Sequence, residues 1–80
     1  MIKVLLFAQL KDRLGESEIT LTLPSNSTGF SLIEALARRD PYVKPLLEVS
    51  RLAVGKEYVS WDHPLQEGQE VAVIPPVSGG

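Results

Sequence analysis

The sequence contains no cysteine and only one histidine, His63, among its 80 residues. Without cysteine the chain can form no disulfide, has no thiolate nucleophile and offers no cysteine-based metal site. This composition is compatible with a reducing compartment. One histidine and scattered acids do not have the spacing of a metal-ligand set, so no metal site is predicted.

Charge of one sign is never concentrated in a run, and long apolar runs are also missing. The chain carries 8 basic and 10 acidic residues, which gives a formal net charge of −2. Nucleic-acid-binding domains need a basic patch, so nucleic acid is not an expected partner. The apolar residues 1–7 are too few to span a bilayer and lack a basic flank. The sequence therefore predicts a soluble, cytoplasmic protein that does not bind membranes.

No set of side chains forms a recognisable catalytic motif. His63 lies in a predicted turn, and no motif places a nucleophile around it, so a structural turn histidine is the better interpretation. Gly55 and Lys56 do not open a helix and therefore do not form a phosphate-binding loop. Four acids could pair, but they lie in polar stretches, whereas a carboxyl with a raised pKa needs an apolar pocket. These acids are Asp12, Glu16, Glu67 and Glu70.

Hydrophobic patterning predicts one small α+β domain over residues 1–75. Continuous apolar runs indicate central strands, and clean alternation at residues 18–23 indicates a strand at the edge of a sheet. Ser31 and Glu34 have the spacing of a capping box that would begin the main helix, and Gly15 ends a shorter one. Residues 44–49 are predicted to form a turn or a short helix, and Leu65 to fill the core. The predicted elements are strand 2–8, helix 9–14, strand 18–23, helix 32–39, a hairpin of 51–54 and 57–61, and strand 70–75.

One main helix and several strands predict a single helical layer on a mixed sheet. The first and last strands are the most apolar, so they are expected to be neighbours, in the manner of the β-grasp, or ubiquitin-like, fold. Alternation then leaves Phe7 and Ile74 on the outer face, with Tyr58 nearby on the hairpin. Exposed apolar patches of this kind mark partner-binding surfaces. The alternative is that the loop between Pro41 and Ser50 covers this face.

Residues 76–80 are predicted to form an extended tail with a free carboxylate on Gly80. Pro75 and Pro76 lack amide donors, so the sheet ladder must stop there, and their fixed φ stiffens the exit of the tail. The four residues that follow can extend by roughly 13–14 Å at most. Glycines have no Cβ and can thread a narrow channel, although many C-termini are simply frayed.

The chain resembles the small subunits of molybdopterin synthase, the MoaD type of sulfur-carrier protein. The resemblance runs nearly from end to end. It is carried by residues 2–15, by Val-Ser-Trp-Asp-His-Pro-Leu at 59–65, and most specifically by the ending Pro-Pro-Val-Ser-Gly-Gly. The chain departs from the family at Gly55, where Asn is frequent, and at Ile74, where an aromatic residue is common.

The resemblance implies that Gly80 is adenylated by an ATP-using, ubiquitin-activating-type enzyme and then thiocarboxylated with sulfur from a sulfurtransferase. The tail would enter the large subunit of molybdopterin synthase, within a heterotetramer, and give its sulfur to a cyclic pterin phosphate precursor of the molybdenum cofactor. Catalytic side chains would lie on the large subunit, ATP would be used by the activating partner, and this chain would bind no cofactor. The residues implied are Pro76, Val77, Ser78 and Gly79 for threading and Phe7, Tyr58 and Ile74 for docking.

Three other functions share parts of this pattern. The sulfur carrier of thiazole synthesis in the thiamin pathway has the same fold and Gly-Gly end, but it is usually shorter and lacks the two prolines. A ubiquitin-like modifier would be joined through Gly80 to lysines of other proteins. A plain β-grasp interaction module would not use its terminus. Pro75, Pro76 and the chain length favour the molybdopterin carrier.

Overall fold

The structure of the chain, a computed structural model, describes residues 1–76. Five strands and three α-helices follow one another in the predicted order, with a 3-10 helix at Pro41–Val43. The α-helices are α1 (Ala8–Leu14), α2 (Gly29–Arg39) and α3 (Lys44–Glu48). The strands are β1 (Ile2–Leu6), β2 (Glu18–Leu21), β3 (Arg51–Val54), β4 (Glu57–Val59) and β5 (Glu70–Ile74).

The strands form one mixed sheet in the order β2-β1-β5-β3-β4. β1 and β5 pair in parallel at its centre, and the other neighbours pair antiparallel. The expected adjacency of the two most apolar strands is confirmed, and so is the edge position of β2. β1 ends at Leu6, two residues earlier than predicted, because Phe7 is the N-cap of α1 and Ala8 leaves the strand with φ of 48°.

The helices cover one face of the sheet and form the hydrophobic core with it. Alternate strand residues point to this face, as the period of two requires. Leu65 is also buried, as predicted. The core residues of the strands and of α2 are Ile2, Val4, Leu6, Ile19, Leu21, Leu52, Val71, Val73, Leu32, Ile33 and Leu36.

The main helix begins three residues earlier than predicted, and Ser31 is not its N-cap. Thr28 caps α2, where its Oγ1 accepts a hydrogen bond from the amide of Phe30 at 3.2 Å. Ser31 completes this cap from inside the helix, since its Oγ accepts from the amide of Thr28 at 3.0 Å. The capping-box geometry therefore exists, but with Thr28 and Ser31 as its members instead of Ser31 and Glu34.

Replacing Thr28 by alanine is expected to lower the free energy of unfolding by about 1 kcal/mol, because a helix amide loses its side-chain acceptor. Urea denaturation followed by circular dichroism measures the change. Ser25→Ala is the matched control, because Ser25 is an exposed residue of the same loop, and its stability should stay near the wild-type value. Equal stability of the Thr28→Ala variant and the wild type would contradict the assignment of the cap.

The segment after α2 does not cover the outer face of the sheet, so that alternative is wrong. The 3-10 helix and α3 contact α2. Val43 and Leu47 are fully buried in the core, on the helical side. The apolar positions of this segment are thus used within the helical layer, and no element among residues 1–76 covers the opposite face of the sheet. Among residues 1–76, none of the helices has the length and apolar character needed to cross a membrane.

Candidate functional site: an apolar groove beside the tail exit

The register of the sheet sets the outer-face residues side by side. Leu5 of β1 pairs with Ala72 of β5, which pairs with Ala53 of β3. Ala53 pairs in turn with Tyr58 of β4. Four strands therefore contribute one continuous row of side chains, and this row forms the floor and one wall of a groove.

The groove has a volume of about 530 Å³ and is partly open to solvent. Phe7 lies at one side of it and Tyr58 at the other, with 45% and 60% of their surface exposed. Ile74 is half-buried and lies between them. The structure thus brings together the three residues that the sequence placed on the outer face. Large exposed apolar side chains around one concave surface are typical of a protein-binding site.

Pro75 and Pro76, the last two described residues, lie beside this groove. A smaller concavity of about 210 Å³ is lined by Ile74, Pro75 and Pro76, together with Val49, Arg51 and Tyr58. Pro75 is buried and Pro76 is exposed. The other four predicted tail residues lie outside the described residues; they are Val77, Ser78, Gly79 and Gly80.

The hairpin that carries Tyr58 turns through Gly55 and Lys56. Their φ angles are 59° and 68°, and both fall in the left-handed region. Two such residues between paired strands form a type I′ turn. Glycine at position 55 therefore suits the turn as well as the asparagine expected from the family would, and the hairpin is confirmed.

The side chains that sequence reasoning set aside do not assemble into a reactive site. His63 lies in a turn, and its amide donates to the carbonyl of Ser60 at 3.1 Å. Three of the four candidate acids are held by a base instead of by each other. Glu16 pairs with Arg39 at 3.4 Å, Glu70 with Lys3 at 3.7 Å, and Glu67 with the N-terminal amine. Within residues 1–76 no cluster of His, Asp and Glu could hold a metal ion.

The Asp40 carboxyl has a pKa below its usual value. A hydrogen bond from Arg13, with Nε and Oδ2 2.6 Å apart, lowers the pKa of this carboxyl, and the amide of Tyr42 adds to the effect. A lowered pKa favours the ionised form, so Asp40 is no proton donor near neutral pH. Its contribution to stability is present above the unfolded pKa and is lost as the pH falls through the folded one. Asp40 is a helix-linking residue and does not line the groove.

Sequence reasoning missed the groove floor and its cationic edge. Leu5, Ala53 and Ala72 become a floor only once the register is known. Arg51 lies over the ring of Tyr58, with 5.0 Å between its Cζ and the ring centroid. The alternation along residues 51–54 could have placed Arg51 on the outer face, but the diagonal contact across the hairpin depends on pairing.

A mixed sheet with one main helix on one face defines a β-grasp, or ubiquitin-like, protein, here with an apolar groove beside the exit of its C-terminal tail. The model of the ThiS family matches residues 4–80. The chain belongs to this family.

Individual relatives agree with that membership. The chain is 46% identical over 81 residues to a molybdopterin synthase sulfur carrier subunit of Dictyostelium discoideum, covering 98% of this chain and 94% of the relative. A solved structure of a putative molybdopterin converting factor, subunit 1, from Pyrococcus furiosus has a TM-score of 0.83 at 32% identity, and the match covers 95% of this chain and 97% of the other.

A third comparison concerns a complex. The chain is similar to a protein in the complex of subunits 1 and 2 of the molybdopterin-converting factor of Helicobacter pylori, with a TM-score of 0.65 and 21% identity. This match covers 99% of this chain and 97% of the other. At that identity the likeness shows the fold alone.

Proposed function

We propose that this chain is the sulfur-carrier subunit of a molybdopterin synthase and acts in the cytoplasm. The observation that supports this most directly is the 46% identity, over nearly the whole of both chains, to a relative with that name. The family match adds support because it extends to residue 80. It therefore includes the ending Pro-Pro-Val-Ser-Gly-Gly, which carries the proposed chemistry.

The reactive group in this proposal is the carboxylate of Gly80. It attacks the α-phosphorus of ATP on a ubiquitin-activating-type enzyme, and pyrophosphate leaves. A persulfide on the sulfurtransferase then displaces AMP to form an acyl disulfide, and a thiol reduces this disulfide to release the thiocarboxylate. In the large subunit the sulfur passes to a cyclic pterin phosphate precursor. In this proposal the catalytic side chains lie on the large subunit, and this chain contributes its terminal carboxylate.

The remaining tail residues and the groove have separate parts in the proposal. Pro76, Val77, Ser78 and Gly79 thread the partner's channel, where the lack of a Cβ at residue 79 allows close backbone approach. Phe7, Tyr58 and Ile74 dock against the adenylating enzyme and, at another stage, against the large subunit in a heterotetramer. The name of the 46% identical relative, a subunit of molybdopterin synthase, supports the expectation of such a partner.

Intact mass spectrometry tests the carrier function. The chain is incubated with its cognate activating enzyme, ATP and a sulfur source. A gain equal to the replacement of one oxygen by one sulfur is expected, and it should disappear when ATP is omitted. An unchanged mass with an activating enzyme shown to be competent would contradict the proposal.

The same reaction separates two of the three other functions. Isopeptide adducts on lysines of other proteins would indicate a ubiquitin-like modifier. Transfer of sulfur to a thiazole precursor, and not to a pterin, would indicate the thiamin-pathway carrier. The family match alone does not distinguish these pathways, whereas the names of the similar relatives favour the pterin.

Replacing Phe7 by alanine is expected to weaken binding of the large subunit by about tenfold or more, because truncating a central aromatic contact typically costs about 1–2 kcal/mol or more. Isothermal titration calorimetry measures the dissociation constant. Phe30→Ala is the matched control, since Phe30 is also exposed but lines a different concavity next to Trp61. Equal affinities of the two variants would contradict docking through the groove.

A further inference from the structure

Arg51 is a charged residue that borders both parts of the proposed docking surface. It pairs with Ile74 in the sheet and therefore continues the outer-face row that carries the groove. It also lines the concavity through which Pro75 and Pro76 leave the domain. A partner that covers the groove and receives the tail must pass over this side chain.

The guanidinium is held in place but its charge is not neutralised. Its Cζ lies 5.0 Å from the centroid of the Tyr58 ring, within the range of a cation–π contact. Among the residues that the structure describes, Arg51 takes part in no ion pair. Glu70, an acid that also lines the groove, is engaged by Lys3. Arg51 therefore offers a positioned, uncompensated cation.

The other end of the groove also carries a positive charge. Lys56, in the hairpin turn, lines the groove and is likewise in no ion pair with any of residues 1–76. The apolar surface is thus flanked by two cations, although the chain as a whole has a net charge of −2. A complementary partner surface would combine an apolar side chain with carboxylates around it.

We propose that Arg51 is a specificity-determining contact for the large subunit, which sets a carboxylate against its guanidinium while an apolar side chain enters the groove. The inference rests on the proposed function and adds the chemistry of the partner surface. Arginine suits this contact because its planar fork binds a carboxylate through two parallel hydrogen bonds. Stacking on Tyr58 keeps the fork in one orientation, so less conformational freedom is lost when the partner binds.

The chain's own terminal carboxylate is the second group that could pair with the Arg51 guanidinium. Gly80 follows Pro76 by four residues, and such a length spans at most roughly 13–14 Å. The two carboxylates differ in one measurable respect. If the partner supplies the carboxylate, loss of the tail leaves the effect of Arg51 on binding unchanged.

The experiment measures the dissociation constant of the large subunit from the same organism for Arg51→Glu and Lys44→Glu. The two substitutions change the charge equally, but Lys44 lines the concavity formed with Phe30 and Trp61 and not the groove. We expect Arg51→Glu to weaken binding by about tenfold or more and Lys44→Glu by less than about twofold. Arg51→Lys should be intermediate, because it keeps the charge and loses the fork.

Salt and truncation complete the test. The defect of Arg51→Glu should shrink as salt is raised, since the screening length falls from about 10 Å at 0.1 M to about 3 Å at 1 M. The same comparison is then made in chains that lack Gly79 and Gly80. In this truncated background, Arg51→Glu should still weaken binding of the large subunit. Disappearance of the defect in that background would overturn the inference in favour of an internal contact. A melting temperature equal to that of the wild type establishes that each variant is folded.

The inference and the proposed function fail differently. If Phe7→Ala weakens binding but Arg51→Glu does not, docking through the groove stands and the role of Arg51 is refuted. If Arg51→Glu and Lys44→Glu weaken binding equally, the effect is one of net charge and the inference also fails. If neither Phe7→Ala nor Arg51→Glu changes the affinity, the proposed docking surface itself is wrong.

Discussion

Deletion of Gly80 is expected to abolish sulfur transfer while leaving thermal unfolding within error of the wild type. The deletion moves the terminal carboxylate back by one residue, or about 3.3–3.6 Å. A displacement of about 1 Å at a reacting group can already cost a factor of about 100 in rate. The core is expected not to depend on the tail, because Val73 is the last core residue within the described range 1–76. Single-turnover conversion of the pterin precursor and a thermal melt measure the two effects.

Gly80→Ala is the matched control for this deletion. It keeps the chain length and the carboxylate and adds one methyl group, so it should accept sulfur more readily than the shortened chain. Two results would count against the proposed chemistry. One is normal transfer by the shortened chain, and the other is a large fall in its melting temperature, which would make the tail a structural element.

Gly29→Ala is expected to lower the free energy of unfolding, by about 1–3 kcal/mol, although alanine is the better helix former. A Cβ at this position would lie 2.6 Å from the carbonyl oxygen of Trp61 and 2.8 Å from a side-chain atom of Leu52. The nearer atom belongs to the backbone and cannot rotate away. Residue 29 is the first of α2, where the gain in helix propensity is too small to offset such an overlap. Urea denaturation measures the loss.

Gly15→Ala separates steric overlap from backbone strain. Gly15 has φ of 77°, and no atom lies within 4 Å of the position that an added Cβ would take. Its cost of about 1 kcal/mol therefore arises from the left-handed conformation alone. Gly29 has no such φ, and its cost arises from contact alone. A Gly29→Ala variant more stable than the wild type would show that α2 does not approach Trp61 this closely.

The strands and their faces could be predicted because alternation and apolar content are local properties. Residues 18–23 showed the alternation of an edge strand, and β2 is at the edge. The outer placement of Phe7 and Ile74 followed from the same period of two. These features could be predicted from the spacing of apolar residues and from the expectation that one main helix covers only one face of the sheet.

The start of the main helix could not be predicted in this way. Thr28 and Ser31 are both good N-cap residues, and Ser31 with Glu34 has a valid capping spacing. Contacts distant in sequence decide between them. The amide of Phe30 donates to the carbonyl of Trp61 at 3.0 Å, and Thr28 forms a bridge with Pro64. The stacking of Arg51 on Tyr58 was missed for the same reason, since it depends on the register of the hairpin.

In the proposed function, the parallel pairing of β1 with β5 limits where partner enzymes can place their reaction centres. Parallel strands end at the same edge of a sheet, so Phe7, just after β1, and Pro75, just after β5, emerge together. Backbone hydrogen bonds between β1 and β5 therefore fix the distance between Phe7, a proposed docking residue, and Pro75, which precedes the proposed reactive tail. A fully extended chain from Ile74 to Gly80 spans at most roughly 20–22 Å. In the proposed function, different partner enzymes can therefore use this chain only if each places its reaction centre within that distance of its contact with the docking surface.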